Sequence, residues 1–517
     1  MGKITNDELK KHNSKESCWV KIHGKVYDVT EFLPEHPGGQ NIILKYSGKD
    51  ATEEFDPIHP PDTLDKYLAP KFHLGEFDES SVSAADRQAE ADAAAEAAAN
   101  VSPEELERLE NLKAIPRLEE CYNLFDFEHI ASKVMKNAAW AYYSSGADDE
   151  ITLRENHAAF HRVWFRPRIL IDVAKIDLST SMFGTKVQMP FYVTATALGK
   201  LGHPEGEVNL TKASHTNGVI QMIPTLASCS FDEIVDAAQP GQTQWFQLYV
   251  NSDREVTRKI VCHAADRGVK VLCITVDAPQ LGRREKDMRS KYVPPATDDD
   301  DTGATVQKGA EVDHSQGSAR AISTFIDPAL SWKDIPWFQK VIKDHGKPMK
   351  LVLKGVQRVE DVLLAIKYGL DGVILSNHGG RQLEFARPAI EVLAETMEVL
   401  DRNNLRNRIE VYIDGGIRRG TDIIKALCLG AKGVGIGRPF LYAMSCYGVD
   451  GVNHAMNLIR DELEMNMRLI GANKIEDLDR SMVDVRSVDQ HSNVPSDHLT
   501  SIVYEGLNPP PFRRSKL

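Results

Sequence analysis

The sequence predicts an α/β protein whose main body is a closed (β/α)8 TIM barrel, preceded by a small α+β module. The first observation is length: 517 residues exceed the roughly 250–300 at which a single core stops growing. The second is a train of eight short β-branched or apolar runs: Phe191–Ala197, Val219–Ile223, Gln244–Val250, Val269–Val276, Lys350–Leu353, Gly372–Leu375, Ile409–Ile413 and Gly433–Ile436. Most precede a stretch of helical period, such as Arg358–Tyr368 or Arg419–Leu429. Strands alternating with helices imply parallel pairing, and eight units in roughly 260 residues suit a closed barrel. An open doubly wound sheet is the alternative, but no G-x-G-x-x-G follows the first strand. The third observation is an abrupt change of composition at residues 80–100, SSVSAADRQAEADAAAEAAAN, which separates the front of the chain from the barrel.

Taken in order, residues 1–80 make a compact mixed module with the apolar pairs Trp19-Val20 and Val26-Tyr27 and the turn-rich Pro37-Gly38-Gly39. Residues 81–113 favour helix through Ala and Glu but have no apolar stripe to bury, so they are expected to be a solvated, partly helical linker. Residues 114–485 carry the barrel. Within it, 294–320, with four consecutive Asp, are expected to be a mobile surface loop, equally readable as a lid or as a tolerated insertion. Residues 486–517 form a tail.

Composition narrows the function. Sixty-two Lys and Arg against 75 Asp and Glu give a net charge of −13, which argues against a nucleic-acid partner. Seven cysteines, an odd number without a C-x-x-C pair, predict reduced thiols in place of disulfides or a zinc site. No stretch approaches the roughly 18 consecutive apolar residues of a membrane span. Met1 to His12 show neither a signal core nor a mitochondrial presequence pattern.

Two constellations carry chemistry. His36 sits in His36-Pro37-Gly38-Gly39 and His59 follows 23 residues later. A histidine held on such a turn can present one ring nitrogen to a metal. The second is Ser376-Asn377-His378-Gly379-Gly380-Arg381-Gln382, directly after the sixth run and so at the C-terminal face of a barrel, where catalytic residues lie. His378 can take a proton and Arg381 can clamp a carboxylate with its planar fork. Asp277, at the end of the fourth run, could orient and stabilise the protonated imidazole.

The front module resembles the cytochrome b5 family over about residues 3–78, through Trp19, Val26-Tyr27-Asp28-Val29-Thr30, Phe32-Leu33, His36-Pro37-Gly38-Gly39 and the histidine after Phe55-Asp56-Pro57. That resemblance implies haem b with His36 and His59 as axial ligands. Two imidazoles leave no open iron position, so such a haem carries single electrons.

The rest, from about Asn123 to Gly471, is similar to the FMN-dependent 2-hydroxyacid dehydrogenase and oxidase family. The similarity rests on Tyr142-Tyr143-Ser144-Ser145-Gly146-Ala147, Gln247-Leu248-Tyr249, Lys354-Gly355, Ser376 to Gln382, Asp414-Gly415-Gly416-Ile417-Arg418 and Gly437-Arg438-Pro439. It implies that His378 removes the substrate α-proton with support from Asp277. Arg381, Tyr142 and Tyr249 would hold the substrate's carboxylate and hydroxyl, with Arg284 close by. For FMN it implies Ala195, Thr196 and Ala197 beneath the ring, Gln247 and Thr275 bonded to it, and Lys354 near N1 and C2=O. The phosphate falls to Asp414, Gly415, Gly416 and Arg418 after the seventh strand and to Gly437 and Arg438 after the eighth. Pro224 departs from the family's frequent Ser, which removes one flavin hydrogen bond. Leu226 and Ala197 would line the side-chain pocket and leave room for a methyl, which favours L-lactate.

The fusion implies electrons passed singly from FMN to haem and then to cytochrome c or to oxygen, and a homotetramer; the alternative is a haem electron-carrier module on a non-catalytic barrel, which the intact His378, Arg381, Asp277 and Lys354 set disfavours. Lys291 is equally readable as a partner of the haem propionates or as a solvated charge. Ser515-Lys516-Leu517 resembles a peroxisomal address read by an import receptor. Peroxisomal location is the expectation, against the mitochondrial intermembrane space that the family resemblance would favour.

Overall fold

The computed structural model describes residues 3–33, 36, 40–99, 101–290 and 326–491. The eight runs become the parallel strands β1 (Phe191–Val193), β2 (Ile220–Ile223), β3 (Gln244–Leu248), β4 (Val271–Thr275), β5 (Lys350–Val356), β6 (Gly372–Leu375), β7 (Glu410–Asp414) and β8 (Val434–Ile436). They pair in the order β4-β5-β6-β7-β8-β1-β2-β3 and the ring closes. Nearly every strand residue is buried, because one face packs into the barrel and the other under the helices. Such strands show continuous apolar runs without alternation. The expected Lys350–Leu353 strand extends to Val356 through a register shift between Lys354 and Val356. Gly355 makes that bulge possible. Its φ is +103°, and a side-chain carbon there would lie 2.5 Å from the Asp277 carboxyl carbon.

Ahead of the barrel run α1 (Ala84–Ala99), α2 (Pro103–Lys113), α3 (Leu124–Val134), α4 (Asn137–Ser144) and α5 (Ile151–His161). The helices that follow β1 to β8 in turn are α6 (Glu207–Asn217), α7 (Phe231–Asp236), α8 (Arg254–Asp266), α9 (Ile335–His345), α10 (Val359–Lys367), α11 (Ala389–Arg402), α12 (Gly420–Leu429) and α13 (Arg438–Ile470). Inside the barrel Tyr192, Trp245 and Tyr412 pack together and Phe183, at a hairpin turn, plugs the N-terminal end against the last two. The interior is therefore filled below, and the cavity opens at the C-terminal face.

The front module is a three-stranded antiparallel sheet, Trp19–Ile22, Lys25–Asp28 and His73–Glu76. The first turn is the two-residue His23-Gly24, both with positive φ, the geometry that matches strand twist. Cys18, Val20, Ile22, Tyr27, Val29, Leu33, Phe55 and Leu68 form its own core.

The linker differs from a free tether at both ends. Asp86, in the first turn of α1, accepts a hydrogen bond from Asn6 Nδ2 at 3.0 Å and pairs with Lys10, so that turn belongs to the front module. Arg108 of α2 donates to the Val134 carbonyl at 2.9 Å and fastens α2 to the barrel side. All seven cysteines are free thiols. The 294–320 loop, Lys291 and the tail from residue 492 lie outside the described residues.

Candidate active site

The C-terminal ends of the strands surround a cavity. Tyr142, Ala195, Thr196, Ala197, Gln247, Tyr249, Thr275, Arg284, Lys354, His378, Arg381, Asp414, Gly415, Gly416, Arg418, Gly437 and Arg438 all line it, as do Pro224 and Leu226. Asp277 stands directly behind them: its Oδ1 lies 2.9 Å from His378 Nδ1. The other ring nitrogen, Nε2, is 3.2 Å from the Tyr249 hydroxyl and faces the cavity. Burial by itself would raise the Asp277 carboxyl. The imidazole and the Lys354 ammonium outweigh it and hold that carboxyl below 3.8. A carboxylate on Nδ1 favours the proton there and leaves Nε2 able to accept one from the cavity.

Two guanidinium groups form the anion end. Arg381 lies over the Tyr142 ring at 5.1 Å and Arg284 over the same ring at 5.5 Å. Burial, then Arg284 and Arg438, push Arg381 down to about 9. Like charges crowded in a dry site make a receptor for a carboxylate, which would relieve both. Arg381 meanwhile donates to the carbonyls of Tyr142 and Ser145, each at 2.8 Å, at the C-terminal end of α4.

Lys354, also at the cavity, is buried with its Nζ 3.4 Å from Asp414 Oδ2 and 3.3 Å from Ser376 Oγ. Burial would lower it, but Asp414 first and Asp277 second raise it, so the ammonium stays charged. Ser376 Oγ donates to Asp414 Oδ1 at 2.5 Å and Thr194 Oγ1 to Asp414 Oδ2 at 3.2 Å. Gln247 Nε2 donates to Thr275 Oγ1 at 2.8 Å.

Two of the phosphate-side arginines are held by partners that spacing did not reveal. Arg418 Nε and Nη2 bind the buried carboxylate of Glu128 at 3.1 and 3.3 Å. Arg438 donates to the carbonyls of Tyr143, Gly379 and Ser145. Sequence reasoning also passed over Glu207. This fully buried carboxylate gathers the backbone N–H groups of Gly199, Ser228 and Cys229, tying the loops after β1 and β2 together. Its only sequence signal is an acid in an otherwise half-apolar helix start. Ser228, in the second loop, donates to the Pro57 carbonyl of the front module at 2.9 Å.

The residues fit a bound flavin beside an anionic ligand. Thr196 Oγ1 and Arg284 Nε and Nη2 are buried at the cavity without a hydrogen-bond partner among the described residues, a state that polar groups adopt where a ligand completes them. Lys354 and the Gly415, Gly416 and Gly437 backbone line the same cavity. The front module fits a six-coordinate haem. The rings of His36 and His59 have centroids 6.1 Å apart, the separation of two imidazoles that share one metal at about 2 Å each. His59 Nδ1 lies 3.2 Å from the Phe55 carbonyl, which leaves Nε2 toward His36. Burial, then the neighbouring His36, lower His59 to about 4, so the imidazole is neutral as a ligand must be.

The comparisons agree with both halves. Residues 131–485 match the FMN-dependent dehydrogenase family, and residues 5–78 match the cytochrome b5-like heme/steroid-binding domain. The chain is 53% identical over 511 residues to L-lactate dehydrogenase (cytochrome) of Wickerhamomyces anomalus, covering 99% of this chain and 85% of the relative. It is 50% identical over 510 residues to that of Saccharomyces cerevisiae, covering 98% and 83%. Among solved structures, the flavin-binding domain of baker's yeast flavocytochrome b2 is 49% identical with a TM-score of 0.68, covering 80% of this chain and 100% of that one. With these matches and a barrel site suited to a flavin, the chain belongs to the FMN-dependent dehydrogenase family, with a cytochrome b5-like domain at its front.

Proposed function

We propose that the protein oxidises an L-2-hydroxyacid, L-lactate first among them, to the 2-oxoacid and passes the electrons to haem. The observation that carries this is the Asp277–His378 pair facing Arg381 and Arg284 across one cavity, with Lys354 on the flavin side. Bound FMN would accept the two electrons, the hydroxyl proton being released to the flavin or to solvent, and haem b would supply a one-electron carrier.

The chain's own residues divide the work. Arg381 and Arg284 receive the substrate carboxylate and fix its α-carbon near His378. Nε2 of His378 takes the α-proton, and Asp277 stabilises the resulting imidazolium. Burial pushes the Tyr249 phenol well above its usual range, so it stays protonated and holds the substrate hydroxyl oxygen. Lys354 would help hold the flavin and would supply a fixed positive charge beside it. Leu226 and Ala197, both at the cavity wall, suit a methyl side chain. Anaerobic addition of L-lactate to holoprotein should bleach the flavin. An unchanged spectrum with L-lactate, glycolate and longer L-2-hydroxyacids would remove this reading.

The external acceptor is proposed as a cytochrome, supported by the paired histidines of the front module. Ser515-Lys516-Leu517 favours a second reading, a peroxisomal location with oxygen available as acceptor. Imaging of full-length protein and of a variant lacking those three residues checks this. Peroxisomal signal lost on truncation supports the address, and an unchanged distribution discards it. Self-association as a homotetramer is supported by exposed apolar side chains, Ile169 to Ile171 beside Met465 and Leu469, since such patches mark interfaces. Sedimentation of the holoprotein reads it.

A further inference from the structure

The proposed base sits on a backbone that histidine does not choose. His378, Gly379 and Gly380 have φ of +59°, +63° and +75°, three consecutive residues in the left-handed region. Glycine adopts it freely, whereas a residue with a Cβ is disfavoured by about 1–2 kcal/mol. Such a conformation persists only where its surroundings over-determine it. Asp277 and Tyr249 grip the ring, but they do not hold the turn that carries it.

Asn377 holds the turn twice: its backbone carbonyl accepts the Gly380 N–H at 3.1 Å, and its side-chain oxygen shares that N–H. Its side chain is fully hydrogen-bonded in the interior. Asn377 Oδ1 accepts from Asn156 Nδ2 at 2.8 Å and from the Gly380 N–H at 3.1 Å. Asn377 Nδ2 donates to Asn156 Oδ1 at 2.7 Å and to the Arg387 carbonyl at 3.1 Å. The two amides thus form a closed reciprocal pair, and both residues are at most 2% exposed. The bond to Gly380 N–H spans the left-handed turn from below, while Ser376 Oγ accepts the His378 N–H at 3.0 Å from its start.

Asn156 belongs to a different part of the molecule. It lies on α5, pressed against the loop after β7: a side-chain carbon on Gly416 would come within 2.0 Å of the Asn156 carbonyl, and one on Gly415 within 3.5 Å of its Nδ2. The next residue, His157, places Nδ1 3.0 Å from the Gly416 carbonyl. One side-chain pair therefore joins the turn of the base to the glycines on the phosphate side of the cavity.

We propose that Asn156 and Asn377 are positioning residues. Their reciprocal amide pair locks the left-handed His378 turn to the Gly415-Gly416 loop, so that aim of the base and occupancy of the phosphate loop are coupled. This rests on the reading of His378 as the base of an FMN-dependent oxidation. A buried amide left without its partner loses its bonds and keeps its desolvation, and a shift of about 1 Å at the reacting atoms costs on the order of 10²-fold in rate.

The test compares holoprotein of the wild type with Asn156→Ala, Asn377→Ala and the double variant. The expected result is a fall in kcat of about tenfold or more per FMN bound. KM for L-lactate should hold within about twofold, and the isotope effect from α-deuterated substrate should rise. The double variant should be no slower than the worse single one, because the pair acts as a unit. A second readout needs no turnover: apoprotein of each variant should bind FMN more weakly, by flavin fluorescence, with the two losses again non-additive. If a variant yields no folded protein, Asn156→Asp keeps the acceptor for Asn377 Nδ2 and loses one bond; it should fall between wild type and Asn156→Ala in both readouts. Lowered melting temperature with unchanged kcat, isotope effect and FMN affinity would overturn the proposal. A wild type inactive on every L-2-hydroxyacid would instead overturn the functional reading.

Discussion

At the scale of single residues, His378 carries the largest expected effect. His378→Gln keeps a polar side chain of similar reach but cannot hold a proton, so kcat should fall by about 10²–10⁴-fold with KM little changed. Asp277 has a depressed carboxyl value. The stabilisation from its charge is therefore fully present above the free-carboxylate value of 3.8 and is lost only as pH falls through the lower folded value. Across the neutral range it stays ionised and does not itself shape the rate profile. Asp277→Asn withdraws the charge that favours the protonated imidazole, so the acid limb of kcat should move to lower pH while the plateau drops. A pH–rate series on both proteins reads this directly; an unmoved limb would take Asp277 out of the role. These residues were legible in the sequence because motif and strand end coincide. Glu128 was not, since it reaches Arg418 across 290 residues of chain, and Glu207 was not, since no local pattern announces that an acid at a helix start is buried.

At the scale of elements, the eight strands were readable because doubly buried parallel strands leave uninterrupted apolar runs. What the runs did not show was the bulge in β5, which depends on a single glycine. Gly355 admits the Asp277 carboxylate where any side chain would stand. It also turns Lys354 toward Asp414. Gly355→Ala should cost about 1–3 kcal/mol in backbone strain alone and displace both charges. The expected outcome is a lower melting temperature together with loss of flavin reduction by substrate; normal turnover would show that the bulge tolerates a Cβ. The linker was half legible. Its helices follow from Ala and Glu content, but its anchoring did not, because Asp86 and Arg108 look like ordinary surface charges until Lys10, Asn6 and the Val134 carbonyl are brought beside them.

At the scale of the whole molecule, the two modules meet where the loops tied by Glu207 face the haem-ligand loop. Leu226 lines the cavity, Ser228 follows two residues later and bonds Pro57, and His59 lies two residues beyond that. Losing one hydrogen bond worth about 0.5–1.5 kcal/mol should lower the docking equilibrium constant by about two- to tenfold. Ser228→Ala should therefore slow haem reduction by about that factor in anaerobic stopped flow and leave flavin bleaching unchanged. Equal slowing of both phases would assign Ser228 to the flavin site, and no change in either would remove it from docking.

As proposed, one chain moves electrons from a 2-hydroxyacid through a barrel flavin to a haem held by His36 and His59. The most direct measurement is the visible spectrum of the purified holoprotein under nitrogen, followed as L-lactate is added, for the wild type and for His59→Ala. The prediction is a flavin band that bleaches first and a haem band that reduces after it. In the His59→Ala variant the flavin should still bleach, and the low-spin haem band should be missing from the start. Bound flavin and haem that both stay oxidised with excess L-lactate, or a His59→Ala variant with an unaltered haem spectrum, would contradict it.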